Sequence, residues 1–172
     1  MRIRHLILSL AIGALAASGA TAAGVTKNIL PAGKDGKPAR ILESAEAGPG
    51  SSILFVSGQL ASPIDPSKPM GPAMTIADFG DTKTQALSAL GKIKGILAKR
   101  GYAMSDIIKM TLFLAADPKL GKMDFEGVNA AFETYFNSPD NPTTTARSAI
   151  QVAALAGPNF LVEIEVIAAK TK

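Results

Sequence analysis

Two segments of helical period, each standing between segments of strand period, constrain this chain more than any other feature of its sequence. In the first, Leu87, Leu90, Ile93 and Leu97 recur at three- and four-residue steps, which lines one face of a helix. Asp81 is placed to cap its start, and Lys99, Arg100 and Gly101 to end it. In the second, from near Asp124 to Phe136, the residues Phe125, Val128, Phe132 and Tyr135 fall on one side, and these aromatics read as core. Gly91 and Gly95 inside the first helix each cost about 1 kcal/mol against Ala and read as room for close packing on a sheet.

The strand segments are of two kinds. Ile53 to Val56 is a continuous apolar run closed by Ser57 and Gly58, the pattern of a strand buried on both faces. Ile108, Met110, Leu112 and Leu114 instead alternate with Ile107, Lys109, Thr111 and Phe113, and a last strand from Phe160 to about Ala169 alternates in the same way. Ala146 to about Val152 is a further strand. Residues 23–50 read as a mobile lead-in with one short strand at Arg40 to Ala45, and Ser62 to Gly80, with Pro63, Pro66, Pro69 and Pro72, reads as a loop. The resulting order is strand, strand, helix, strand, helix, strand, strand. It predicts a two-layer α/β (α+β) domain over residues 51–172, with both helices on one face of a mixed sheet. The other face, carrying Phe113, Leu161 and Ile167 among polar residues, predicts a homo-oligomer.

Upstream of this domain, Arg2 and Arg4 precede an apolar stretch from Leu6 to about Ala17, and Ala20, Thr21 and Ala22 form an A-x-A pattern. This predicts a cleavable signal peptide over residues 1–22 and a periplasmic or secreted location. The apolar stretch is shorter than the ~20 residues of a membrane span, so no stable membrane insertion is expected after cleavage. Without Arg2 and Arg4, 16 Lys and Arg stand against 14 Asp and Glu, and the net charge falls from +4 to +2. That balance offers no basic stripe for a nucleic-acid partner.

The chain has no cysteine, and its one histidine, His5, lies in the signal. Disulfide frameworks, Ser-His-Asp or Cys-His catalysis and Cys/His zinc sites all lack a required group. With no calcium-loop spacing either, no metal site is expected. Chemistry, if present, rests on carboxylates, Arg, Lys, hydroxyls and backbone.

Arg147 is the residue that most needs an explanation. Alternation puts it on one face of its strand with Ala149 and Gln151, away from Ser148, Ile150 and Val152. Two readings stand: a structural ion pair with Glu163 or Glu165, or a planar fork for the carboxylate of a small ligand. In the second reading a carboxylate such as Glu163 or Glu165 is able to orient a water.

Several segments together resemble the Rid family of small reactive-intermediate deaminases, also called the YjgF or UK114 family. Ile53 to Gln59 (ILFVSGQ) is similar to the family's strand ending in Ser-Gly-Gln, Asp106 to Phe113 (DIIKMTLF) to its D-I-V-K-x-T-V-F strand, and Val128 to Phe136 (VNAAFETYF) to its V-N-x-x-Y-x-x-F-F helix. Ala146, Arg147 and Ser148 match its Ala-Arg-Ser, and Val162 to Ala168 (VEIEVIA) resembles its terminal I-E-I-E-A-I-A strand. The matches run in unbroken order from about Ser51 to Lys170.

The resemblance implies a chorismate-mutase-like fold with a mixed six-stranded sheet, a homotrimer with clefts between subunits, and hydrolysis of enamines or imines of 2-aminoacrylate type to 2-keto acids and ammonia. It implies no cofactor. Carried over by position, Arg147 would bind the substrate carboxylate and Glu163 would position the attacking water. Ser57, Gly58 and Asn129 match cleft positions, and Ala149 stands where many members have cysteine, so only its backbone is available. The family's aromatic cleft residue near the N-terminus has no tyrosine counterpart here. A non-catalytic module binding small carboxylates through Arg147 is the alternative from another class. A ribonuclease reading is opposed by near-neutral charge and the lack of histidine.

Overall fold

The computed structural model describes residues 24–171; the expected signal segment, residues 1–22, lies outside them. Six strands and two helices follow in the order β1 (Val25–Ile29), β2 (Leu42–Ala47), β3 (Ser51–Leu60), α1 (Thr82–Lys99), β4 (Ile107–Leu114), α2 (Phe125–Tyr135), β5 (Ala146–Gln151) and β6 (Val162–Thr171).

The expected six-stranded sheet is divided. Four strands form a mixed sheet in the order β3-β6-β4-β5, and β1 and β2 form a separate antiparallel hairpin. The hairpin meets the larger sheet through a bond from Leu42 N–H to the Thr145 carbonyl (3.1 Å). β4 and β5 run parallel, joined through α2, while β6 is antiparallel to both β3 and β4. A parallel pair needs such a crossover, and the two helices supply the covering layer on one face.

The helix termini follow from their caps. Asp81 Oδ1 accepts from Thr84 N–H (2.8 Å) at the start of α1, and Asp124 Oδ1 accepts from Gly127 N–H (2.8 Å) at the start of α2. α1 ends at Gly101, whose φ of 73° only glycine adopts without penalty, and Tyr102 N–H returns to the Leu97 carbonyl. The core lies between the helices and one sheet face. It joins Leu90, Ile93 and Leu97 of α1 to Val128 and Phe132 of α2 and to Met110, Leu112, Ile164 and Val166 of the sheet.

Five local expectations change. Residues 23–50 carry two strands rather than one. β1 is held in part by Lys27, whose ammonium donates to the carbonyls of Ser105 (2.8 Å) and Thr144 (2.9 Å). Burial lowers the Lys27 pKa to about 8, against the opposing pull of Asp106. β3 runs on through Ser57 and Gly58 and is an edge strand, so Phe55 is 73% exposed and Ile53 49%; it is buried on one face only. Leu161 is buried rather than on the bare face, its N–H bound to Gln85 Oε1. Phe125 is 41% exposed and so is not core. Gly91 and Gly95 are exposed and do not face the sheet; a methyl group at Gly95 would meet open space. The Ser62–Gly80 loop is closed by a small cluster of its own, in which Phe79 packs on Phe160 with ring centroids 4.8 Å apart.

Candidate active site

Register decides where the candidate residues go. Arg147 pairs with Met110 and Ala149 with Leu112, and both β4 partners are buried under the helices. Arg147 and Ala149 therefore face α2. Its Nη2 donates to Asn129 Oδ1 (2.8 Å), and Asn129 is itself buried. The guanidinium carbon lies 4.4 Å from the centroid of Phe132 and 5.8 Å from that of Phe125, within cation–π range. Burial, and then the like charge of Arg40, lower the Arg147 pKa to about 10, with Glu133 opposing. The group is thus cationic at neutral pH.

Neither structural partner foreseen for Arg147 is used. Among the described residues its side chain enters no ion pair, and Nη1 is buried without an acceptor. An orphaned donor on a buried cation costs free energy unless an acceptor reaches it. The chemistry of the donor set, one planar fork resting on an aromatic face and tied at one corner by a neutral amide, suits a carboxylate.

Glu163 lies on the opposite face. It pairs with Phe113 of β4 and Leu60 of β3, one step out of phase with the helix-facing Ile164. Across from it β3 is bulged. Val56 pairs with Val166 but Gln59 with Ile164, so Ser57 and Gly58 crowd against a single residue of β6. The bulge brings the backbone up to the Glu163 carboxylate. A Cβ built on Gly58 would overlap it, 2.8 Å from Cδ and 3.0 Å from Cγ, so only glycine leaves the acid where it is. A concavity of about 380 Å³ beside Glu163 is walled by Phe113, Val152, Leu155 and Glu165. Among the described residues Glu163 has no ion-pair partner.

The candidate residues thus gather as two clusters, Asn129–Arg147–Ala149 and Ser57–Gly58–Glu163, on opposite faces of one sheet. A single chain does not bring Arg147 and Glu163 to one point. Sequence reasoning also missed the ring of Phe132 under the guanidinium and the Arg40–Glu133 pair nearby. The spacing of Asn129, Phe132 and Glu133 on one helix carried that signal. No group of three or more acidic or histidine side chains able to hold a metal gathers among the described residues.

Comparison with known proteins agrees with this fold. Residues 45–170 match the family model described as Endoribonuclease L-PSP. A RutC family protein of Pasteurella multocida is 32% identical over 136 residues, 79% of this chain and 94% of its own length. A protein of Salmonella typhimurium named 2-iminobutanoate/2-iminopropanoate deaminase is 34% identical over 119 residues, covering 69% of this chain and 80% of its own. The solved structure of Escherichia coli TdcF with bound serine superposes with a TM-score of 0.52 at 33% identity, over 68% of this chain and 80% of that one. The family model runs through β3, both helices and β6, and on these matches the chain belongs to the endoribonuclease L-PSP family, the YjgF or Rid family.

Proposed function

We propose that this protein is a hydrolytic deaminase of reactive enamines and imines of the 2-aminoacrylate type, working in clefts between the copies of a homotrimer. The observation that carries the reading is the Arg147 fork, buried against Phe132 and tied to Asn129, with one nitrogen lacking an acceptor. The substrate's carboxylate docks there, and its imine carbon is presented to a water held by Glu163 of a neighbouring copy. Water oxygen adds to the imine carbon while Glu163 takes a water proton. The nitrogen gains a proton to give the carbinolamine; Glu163 then passes its proton to that nitrogen, the hydroxyl gives up its proton as the C–N bond breaks, and ammonia leaves a 2-keto acid. An imine is already electrophilic, so alignment supplies much of the rate and no histidine is required.

Two observations support assembly. The sheet face that carries Glu163 also leaves Phe55 at 73% and Ile150 at 47% exposure, an apolar surface suited to a second copy. The separation of Arg147 from Glu163 has the same answer. The 1–22 segment carries the pattern of a cleaved signal, and the proposed place of action is the periplasm or the exterior. The same separation supports a second reading, a module that binds small carboxylates through Arg147 without chemistry.

Spectroscopic decay of a 2-aminoacrylate-type imine generated in situ separates the two. The mature protein is expected to accelerate decay and ammonia release, and Arg147→Ala to abolish the acceleration. If the wild-type protein leaves the decay unchanged, deamination of this class is rejected and the binding module stands.

A further inference from the structure

We propose that Arg40 is a second anion-binding residue beside Arg147, and that the site selects imino acids carrying a second acidic group. This rests on the deaminase reading and narrows its substrate class. Residues four apart on a helix are neighbours, with Cβ atoms ~5–6 Å apart. On α2 the neighbours Asn129 and Glu133 each hold a guanidinium. Asn129 Oδ1 accepts from Arg147 Nη2 at 2.8 Å. Glu133 Oε1 accepts from Arg40 Nε at 2.8 Å and lies 2.8 Å from its Nη2. Two cations are thereby set on adjacent turns of one helix, close enough that Arg40 lowers the proton affinity of Arg147.

Arg40 is not a freely moving surface residue. Its carbonyl accepts from Thr144 Oγ1 (2.6 Å), the preceding Ala39 carbonyl accepts from Asn137 Nδ2 (3.0 Å), and Leu42 N–H binds Thr145. The backbone carrying Arg40 is thus fastened to the segment that leads directly into β5 and Arg147. Arg40 and Glu133 also form part of the wall of an open groove of about 800 Å³ between the β1–β2 connection and the end of α2. The pair is half exposed, at 47% and 52% for the two side chains, and an exposed ion pair contributes little by itself. Only one oxygen of Glu133 is used, and the remaining N–H donors of Arg40 stay available to a ligand carboxylate.

The two partners of this ion pair therefore have opposite effects on selectivity: Arg40 attracts the second acidic group, and Glu133 competes with it. The test is kcat/KM for imines generated in situ from a dicarboxylic and a monocarboxylic amino acid, taken as a ratio. Arg40→Gln is expected to lower that ratio about tenfold, the scale of one charge-assisted hydrogen bond. Glu133→Gln is expected to raise it, and Arg40→Lys to retain part of it. An ion pair that is only structural is broken equally by either variant. A ratio unchanged within about twofold, or shifted in the same direction by both variants, overturns the proposal. Calorimetric affinities for succinate and propionate give the same ratio without chemistry. If no imine is hydrolysed but succinate preference depends on Arg40, the deaminase reading fails and the clamp stands. If imines are hydrolysed and neither ratio depends on Arg40, the reverse holds.

Discussion

On the helix-covered face of the four-stranded sheet Met110, Leu112 and Ile164 are at most 1% exposed, whereas on the other face the same sheet leaves Phe55 at 73%. The covered face is a finished core that holds the Arg147 cation by an aromatic ring and an amide. The bare face is mixed. It sets Glu163, which has no ion-pair partner among the described residues, against a bulge, and the same face leaves Phe55 and Ile150 exposed. The covered face shows how one strand can hold a charge inside a core, and the bare face shows a carboxylate in an open concavity. In the proposed trimer each face supplies half of a site, and a neighbouring copy brings the other half.

The sharpest contrast between the faces is in stability. Phe132 is 1% exposed and lies under the guanidinium, so Phe132→Ala is expected to cost about 3–5 kcal/mol in urea unfolding. Truncating Phe55, at 73% exposure, is expected to leave single-chain stability nearly unchanged and to shift the protein concentration at which copies associate. Equal losses from the two truncations break the comparison.

The next contrast concerns the bulge. Gly58→Ala forces the Glu163 carboxylate aside, and a displacement of ~1 Å in a reacting group can cost about 10²-fold in rate. Imine hydrolysis is therefore expected to fall by about that factor while carboxylate binding at Arg147, on the far face, is retained. Loss of both together would show that the clusters are not separate.

The smallest effect is one of pH. Burial holds the Arg147 pKa at about 10, below the ordinary guanidinium range. The cation is the binding form, so affinity for a saturated carboxylate is expected to be flat through neutral pH and to fall as pH rises through about 10, read by calorimetry. Glu163→Gln should leave that curve in place. The same lowered value makes the charged form of Arg147 unfavourable to folding. The sign is that stability contributed by this group rises, rather than falls, as pH climbs from about 10 towards the ordinary guanidinium range.

Much of the fold was legible because its signals are local. Asp81 lies three residues from the N–H it caps, and the apolar steps from Leu87 to Leu97 all fall on one helix. What was missed depends on distant partners. β1 is short and polar, and Lys27 finds its acceptors 78 and 117 residues away. Alternation correctly set Arg147 with Ala149 and Glu163 with Glu165, but only cross-strand register says which set lies under the helices. Gly58 reads as the end of a strand until Glu163, more than a hundred residues later, is seen against it. Arg40 stood in a segment of little pattern and acquires meaning only from its partner Glu133 on α2.

The central claim, that the site is completed by a second copy, is tested most directly by mixing two broken proteins. Arg147→Ala and Glu163→Gln are each expected to be inactive as pure assemblies. Co-expressed in equal amounts, they form interfaces in which one copy supplies Arg147 and its neighbour Glu163. Imine hydrolysis is then expected to return to about a quarter of the wild-type rate, the statistical share of such interfaces in a random mixture. Mixed assemblies that form and remain inactive would contradict the account and leave Arg147 and Glu163 as residues of unrelated surfaces.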